Sequence, residues 1–171
     1  MPQRFRRSPC RLARDEFVAV FGPVYEHSSW IAEAVYEAGL DGRHDRVTGM
    51  HDAMREVVKS ATRERQLALL CAHPDLAGRL AVAGTLTAHS AGEQAGAGLD
   101  KCTGEEFARF TALNDAYKAK FGFPFIMAVK GRTRAEILAA FEQRLENDAA
   151  EEFRTALDEV NKIALFRLKE L

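Results

Sequence analysis

Cysteine is scarce in this chain, and its pattern excludes more than its number does. Cys10, Cys71 and Cys102 are odd in count and widely spaced, which argues against a disulfide framework and against a Cys-x-x-Cys metal clip. A reducing cytoplasm suits that usage. No run approaches the roughly 18 consecutive apolar residues of a membrane span, and the N-terminus has no apolar core of a secretory signal. Charge of one sign is also missing: 24 basic and 25 acidic residues give a formal net charge of −1, which supplies no attraction for nucleic acid or an anionic membrane. The histidines make no His-x-x-x-His or His-Glu-x-x-His pair on an expected helix, so no metal site is expected. Walker loops and dinucleotide-binding glycine fingerprints are absent, so a nucleotide cofactor has no support in the sequence, and no Gly-x-Ser-x-Gly elbow occurs either.

What is present is enough apolar material, 47% of 171 residues, for a single core. Apolar residues recur at intervals of three and four almost throughout, so the expected fold is all-α: a single-domain bundle of about eight helices. Residues 1–14 hold five arginines and no acid and are expected to form a flexible basic tail, leaving 15–171 as the folded domain. Helices are expected over Asp15–Phe21, from a cap at Ser28 or Ser29 to Gly39, over Thr48–Ser60, and from a Thr62 cap to Ala72. Capping boxes at Thr103-Gly-Glu-Glu106, Thr133-Arg-Ala-Glu136 and Asp148-Ala-Ala-Glu151 open the last three. Between the first two of these, FGFPFIMAVKG contains Pro124 and is rich in aromatic and β-branched residues. It reads as a buried extended segment near 121–130.

Two stretches carry candidate chemistry. In CAHPDLAGRL, Pro74 disfavours helix at His73 and suits the first position of a new helix, so the histidine is held at a junction. A structural histidine bonded to a carbonyl and a general acid or base are equally compatible with that placement. The end of one helix favours the charged ring and the start of the next opposes it. Ser90-Ala-Gly-Glu93-Gln94 matches a capping box, which is its plain reading. The surrounding Gly84, Gly92, Gly96 and Gly98 make little core, however, and permit close approach to a ligand, for which Glu93 and Gln94 offer an acceptor and an amide. On the last helix Arg167 is either an exposed i,i+4 partner or a carboxylate clamp.

Taken together, FGPVYEHSSWIAE, AHPDLAG, LTAHSAGEQAGAGLD, LNDAYKAKFGFPFIMAVKG and EEFRTALDEVNKIALFRL closely resemble the OHCU (2-oxo-4-hydroxy-4-carboxy-5-ureidoimidazoline) decarboxylases of urate degradation. The stretches cover nearly everything after the N-terminal tail, in family order; Ser29, where the family often has proline, is a departure. The resemblance implies a cofactor-free decarboxylation to (S)-allantoin by an all-helical enzyme. By position, His73 is then the catalytic proton donor and Glu93 the second catalytic group. Pro74, Ser90 and Gln94 contact substrate. The backbone of Phe125, Ile126, Met127, Ala128 and Val129 reads the ring, and Arg167 is the cationic partner. OHCU itself is the expected small-molecule partner, a homodimer the expected assembly and the cytoplasm the expected location. A helical module that binds a purine-like ligand without catalysis, and a hydrolase acting on the ureido or ring amide, are the competing readings.

Overall fold

The computed structural model describes residues 3–78 and 86–171. Among them are eight α-helices: α1 Arg14–Phe21, α2 Trp30–Glu37, α3 Val47–Ser60, α4 Arg63–Cys71, α5 Ala88–Gly96, α6 Gly104–Phe121, α7 Arg134–Leu145 and α8 Ala149–Leu168. The described residues contain no strand, only an isolated bridge between Arg4 and Arg46. The all-α expectation holds, and the segment after α6 is non-helical and buried from Phe123 to Ile126. Gly84, one of the glycines singled out above, lies outside the described residues.

Local chemistry explains most boundaries. Thr62, Thr103 and Thr133 each accept the backbone N–H three residues on, at 3.1–3.3 Å. At Thr133 the box is reciprocal, because the Glu136 carboxylate accepts the Thr133 N–H at 2.7 Å. Gly122 ends α6 with φ +79°, a conformation in which a side chain is strained. Two expected caps differ. Neither Ser28 nor Ser29 caps α2 through its side chain: the Ser28 hydroxyl donates to Glu26 O and that of Ser29 to the Glu33 carboxylate. Ser90 is no cap either. Thr87 caps α5 by accepting the Ser90 N–H, which puts Ser90 inside the first turn and buries it.

The chain clusters into two compact units: residues up to Ala72 together with Val160–Leu171, and His73–Glu159. In the first, Phe17, Phe21, Ile31, Val35, Met50, Met54, Val58 and Leu70 are buried on the inward stripes of α1 to α4. The arginine-rich start of the chain is held here along its described part. Phe5 meets the Phe21 ring edge-on at 5.2 Å, Val47 N–H donates to Gln3 O, and the Ser8 hydroxyl donates to Asp45 at 2.7 Å. Composition alone overweights the five arginines and overlooks Phe5 and the buried Leu12.

The second unit is organised around Tyr117 of α6, whose ring meets Phe121, Phe123, Phe125 and Phe141 at 4.6–5.8 Å. Its hydroxyl donates to Glu152, and burial, followed by that bond, pushes the phenol well above its ordinary value. Glu152 is fully buried and also accepts from Arg144 Nε at 2.7 Å and Asn147 Nδ2 at 2.9 Å. Arg144 in turn donates to Ile126 O at 2.6 Å and lies 4.4 Å from the Phe125 ring. The segment is thus tied to α7 directly by the Arg144 guanidinium, which Glu152 of α8 holds in place.

Two predictions arise from these contacts. Glu152→Ala leaves Arg144 and Tyr117 in the interior without their acceptor, so urea titration is expected to show a loss of about 3–5 kcal/mol; a loss below 1 kcal/mol would contradict the network. The loop that receives the N-terminal residues is expected to be acid-labile. Asp41 is held down to about 2, chiefly by the Arg43 side-chain bond, and Asp45 is lowered chiefly by the Ser8 hydroxyl. Carboxyls lowered by folding stabilise the folded state fully above their ordinary value of 3.8, and that contribution fades as the pH falls through the folded values. Melting temperature should therefore drop more steeply below pH 3.8 in the wild type than in the Asp41→Asn/Asp45→Asn variant. Equal slopes would refute it.

Candidate active site

The end of α4 fixes where His73 begins. Ala72 closes the helix by donating its N–H to Ala68 O, and Pro74 cannot extend the hydrogen-bond ladder. His73 follows directly and is 9% exposed. Pro74 does not start a helix within 74–78, contrary to expectation; Leu76 and Ala77 form a turn instead. Ala77 sits at φ +50°, in the left-handed region that costs an L-residue about 1–2 kcal/mol. At Gly78 an added Cβ would come within 2.7 Å of Asp75 Cβ, so only glycine closes the turn this tightly.

Such a turn persists when its surroundings over-determine it. Gln94 of α5 does so with both ends of its amide: Oε1 accepts the Ala77 N–H at 3.0 Å, and Nε2 donates to Asp75 O at 3.2 Å. From α6, Asn114 Nδ2 donates to Leu76 O at 3.0 Å, and the Lys118 ammonium meets the Asp75 carboxylate at 2.7 Å. Sequence reasoning singled out Gln94 as a ligand contact; in the structure its amide also braces the histidine-bearing turn. Asn114 and Lys118 were missed. Their spacing of four on one face of α6 was the available signal, but nothing in the sequence says which turn that face meets.

A cleft of about 440 Å³ opens beside the turn, bordered by His73, Pro74, Asp75, Asn114, Asp115 and Lys118. Two carboxylates to one ammonium give this cleft little attraction for an anion. The other expected site residues divide between the units. Ser90, Glu93 and Gln94 lie on α5 in the second unit, with Ser90 and Gln94 buried and Glu93 half-buried. Phe125, Ile126 and Val129 are buried in the same unit, with Met127 and Ala128 half-buried. Two backbone groups of this segment already have protein partners: Ile126 O accepts from Arg144, and the Ala128 N–H donates to Glu159 at 2.8 Å. Arg167 belongs to the first unit. Far from an exposed i,i+4 partner, it is 2% exposed, 3.0 Å from the equally buried Glu26, and donates to Val24 O at 3.3 Å. Among the described residues no three of His, Cys, Asp and Glu cluster as metal ligands would.

Known proteins add a second line of observation. The profile of the OHCU decarboxylase family matches residues 10–169. A 2-oxo-4-hydroxy-4-carboxy-5-ureidoimidazoline decarboxylase of Haloferax volcanii is 45% identical over 160 residues, covering 94% of this chain and 91% of that protein. Among solved structures, that of (S)-allantoin synthase superposes with a TM-score of 0.73 at 32% identity over 94% of this chain; this chain spans 50% of its length. An OHCU decarboxylase crystallised in the presence of (S)-allantoin superposes with a TM-score of 0.65 at 26% identity, over 83% of this chain and 89% of that one.

The crowding at Gly78 sets a test of the turn. Gly78→Ala forces Asp75 aside and is expected to lower stability by about 1–3 kcal/mol, measured by thermal unfolding. An unchanged melting temperature would mean that the turn yields freely.

Proposed function

The chain belongs to the OHCU decarboxylase family, and from that premise we propose that it converts 2-oxo-4-hydroxy-4-carboxy-5-ureidoimidazoline to (S)-allantoin and CO2. The observation that carries the proposal is the placement of His73: a nearly buried imidazole fixed at the end of α4 by a braced turn, in a chain that matches the family along almost its whole length.

The substrate's own chemistry explains how so few groups suffice. Its carboxylate is on the hydroxyl-bearing ring carbon, next to the carbon that carries the ureido group and the ring C=N bond. When the C–CO2 bond breaks, its electron pair forms a C=C bond to the ureido-bearing carbon, and the C=N pair moves to the ring nitrogen, which takes up a proton, giving an enol. The enol collapses to the ring carbonyl as the ureido-bearing carbon takes up one proton and the hydroxyl releases one. One CO2 is lost and one proton gained, without oxidation or reduction. Imidazole is the side chain whose unperturbed pKa lies nearest neutral pH, which suits it to proton transfer there. Held on one side of the ring, it makes a single enantiomer.

We assign this proton delivery to His73, with Glu93 as the second catalytic group. Pro74, Ser90, Gln94 and the Phe125–Val129 segment are assigned to binding the substrate and Arg167 to its anionic charge. The bonds of Arg167 to Glu26 and Val24 O support a guanidinium of fixed orientation. Because Gln94 already gives one donor and one acceptor to the turn, its remaining N–H and lone pair are what it offers a ligand. A cytoplasmic location is part of the same reading and is supported by three cysteines that are not in disulfides; a homodimer is its proposed assembly. No helix among the described residues is long and apolar enough to cross a membrane.

Circular dichroism of freshly generated OHCU tests the reaction and the donor together. Wild type is expected to build the (S)-allantoin signal far faster than spontaneous decay, and His73→Asn to lose about 10²–10⁴-fold in kcat with its far-UV spectrum unchanged. Wild type that merely followed the spontaneous rate would favour the non-catalytic binding module, and full activity in His73→Asn would remove the histidine from its role.

A further inference from the structure

Asn114 is 2% exposed and spends its amide unevenly. Nδ2 donates to Leu76 O, while Oδ1, also buried, has no hydrogen-bond partner among the described residues. Leaving an acceptor unpaired in the interior costs roughly 1–3 kcal/mol, so this side chain is a poor way to gain stability. Its one bond goes to the middle of the strained turn, three residues from His73, at a carbonyl that Gln94 does not reach.

We propose that Asn114 is a positioning residue for the decarboxylation: its Nδ2–H···O=C bond to Leu76 holds the 73–78 turn in the conformation that aims the His73 ring. The inference rests on the reading of His73 as proton donor. Asn114 touches neither substrate nor reacting atoms in this account. Gln94 holds the Asp75–Leu76 peptide by its oxygen and the Leu76–Ala77 peptide by its N–H, and Asn114 holds the oxygen of that second peptide, so the Leu76–Ala77 peptide is pinned at both polar groups and cannot rotate. A misplacement of the donor by about 1 Å is enough to cost on the order of 10²-fold in rate.

Two substitutions of nearly the same size separate aim from stability. Asn114→Leu removes the donor together with the unpaired oxygen. Asn114→Asp keeps the shape and can donate to Leu76 O only when its carboxyl is protonated. The expectation for Asn114→Leu is a kcat lowered about 10–100-fold, a KM for OHCU within about 3-fold of wild type, and a melting temperature within about 5 °C. For Asn114→Asp, the kcat ratio to wild type should rise as pH falls, whereas for Asn114→Leu it stays flat. His73, Asp75, Asp115 and Lys118 border the same cleft, and their own titrations largely cancel in that ratio.

A wild-type kcat in folded Asn114→Leu overturns the proposal, as does a raised KM at unchanged kcat, which would make Asn114 a binding residue. If both variants fail to fold, the amide is structural and the proposal is again overturned. A readout that needs no substrate keeps this result apart from failure of the functional reading. The NMR titration of the His73 ring should move in midpoint or limiting shift between wild type and Asn114→Leu, and an unchanged titration counts against the proposal. Wild type that fails to decarboxylate OHCU while the His73 titration still responds to Asn114 would reject the function and leave the mechanical link standing.

Discussion

The six residues from His73 to Gly78 are the constraint on which the second unit's chemistry depends. Proline ends the ladder of α4, Ala77 takes a left-handed conformation, and Gly78 closes against Asp75 with no room for a side chain. None of this is favourable by itself. It is held by bonds from two helices far along the chain, Gln94 on α5 and Asn114 and Lys118 on α6. The arrangement exchanges local strain for a histidine whose backbone is held in place, which in the proposed role of proton donor matters more than local stability.

A similar economy governs the non-helical segment after α6. Phe123 to Ile126 is buried without sheet partners, so its polar backbone needs side-chain partners. Arg144 and Glu159 satisfy Ile126 O and Ala128 N–H, and Glu152 neutralises Arg144 while accepting the Tyr117 hydroxyl. A buried ion pair is weak evidence of stability, because desolvation offsets much of its attraction. Here its consequence is geometric: it fixes non-helical backbone where an all-α chain would otherwise have no means to do so.

The helices and most of their ends were legible in the sequence because they are set by neighbours: threonine caps, the αL glycine at 122, and apolar residues three and four apart. That the chain leaves the helix here was legible for the same reason, since Pro124 and its aromatic company act locally, although the non-helical stretch begins after Phe121 rather than at it. What was misread or left open has a different cause. Ser90 has the right residue three positions later to be a cap, but Thr87 competes and wins the N–H. For Arg167 the sequence leaves a surface partner and a carboxylate clamp both open, and only Glu26, 141 positions away in the chain, shows that it is buried against a carboxylate. Motif resemblance located His73, yet the residues that brace its turn appear only once the long-range contacts are in place. Periodicity marks Asn114 as lying on a helix, and nothing local says that its amide will meet a carbonyl 38 residues earlier.

The proposed reaction requires the braced turn to present His73 to one face of a ureido-substituted ring. The most direct measurement is a crystal structure of this chain with (S)-allantoin bound. A His73 ring nitrogen is expected within about 3.5 Å of the ureido-bearing carbon, with the Gln94 and Asn114 bonds to the turn intact. Allantoin bound away from His73, or a turn that lets go of Gln94 and Asn114 when the ligand enters, would contradict it.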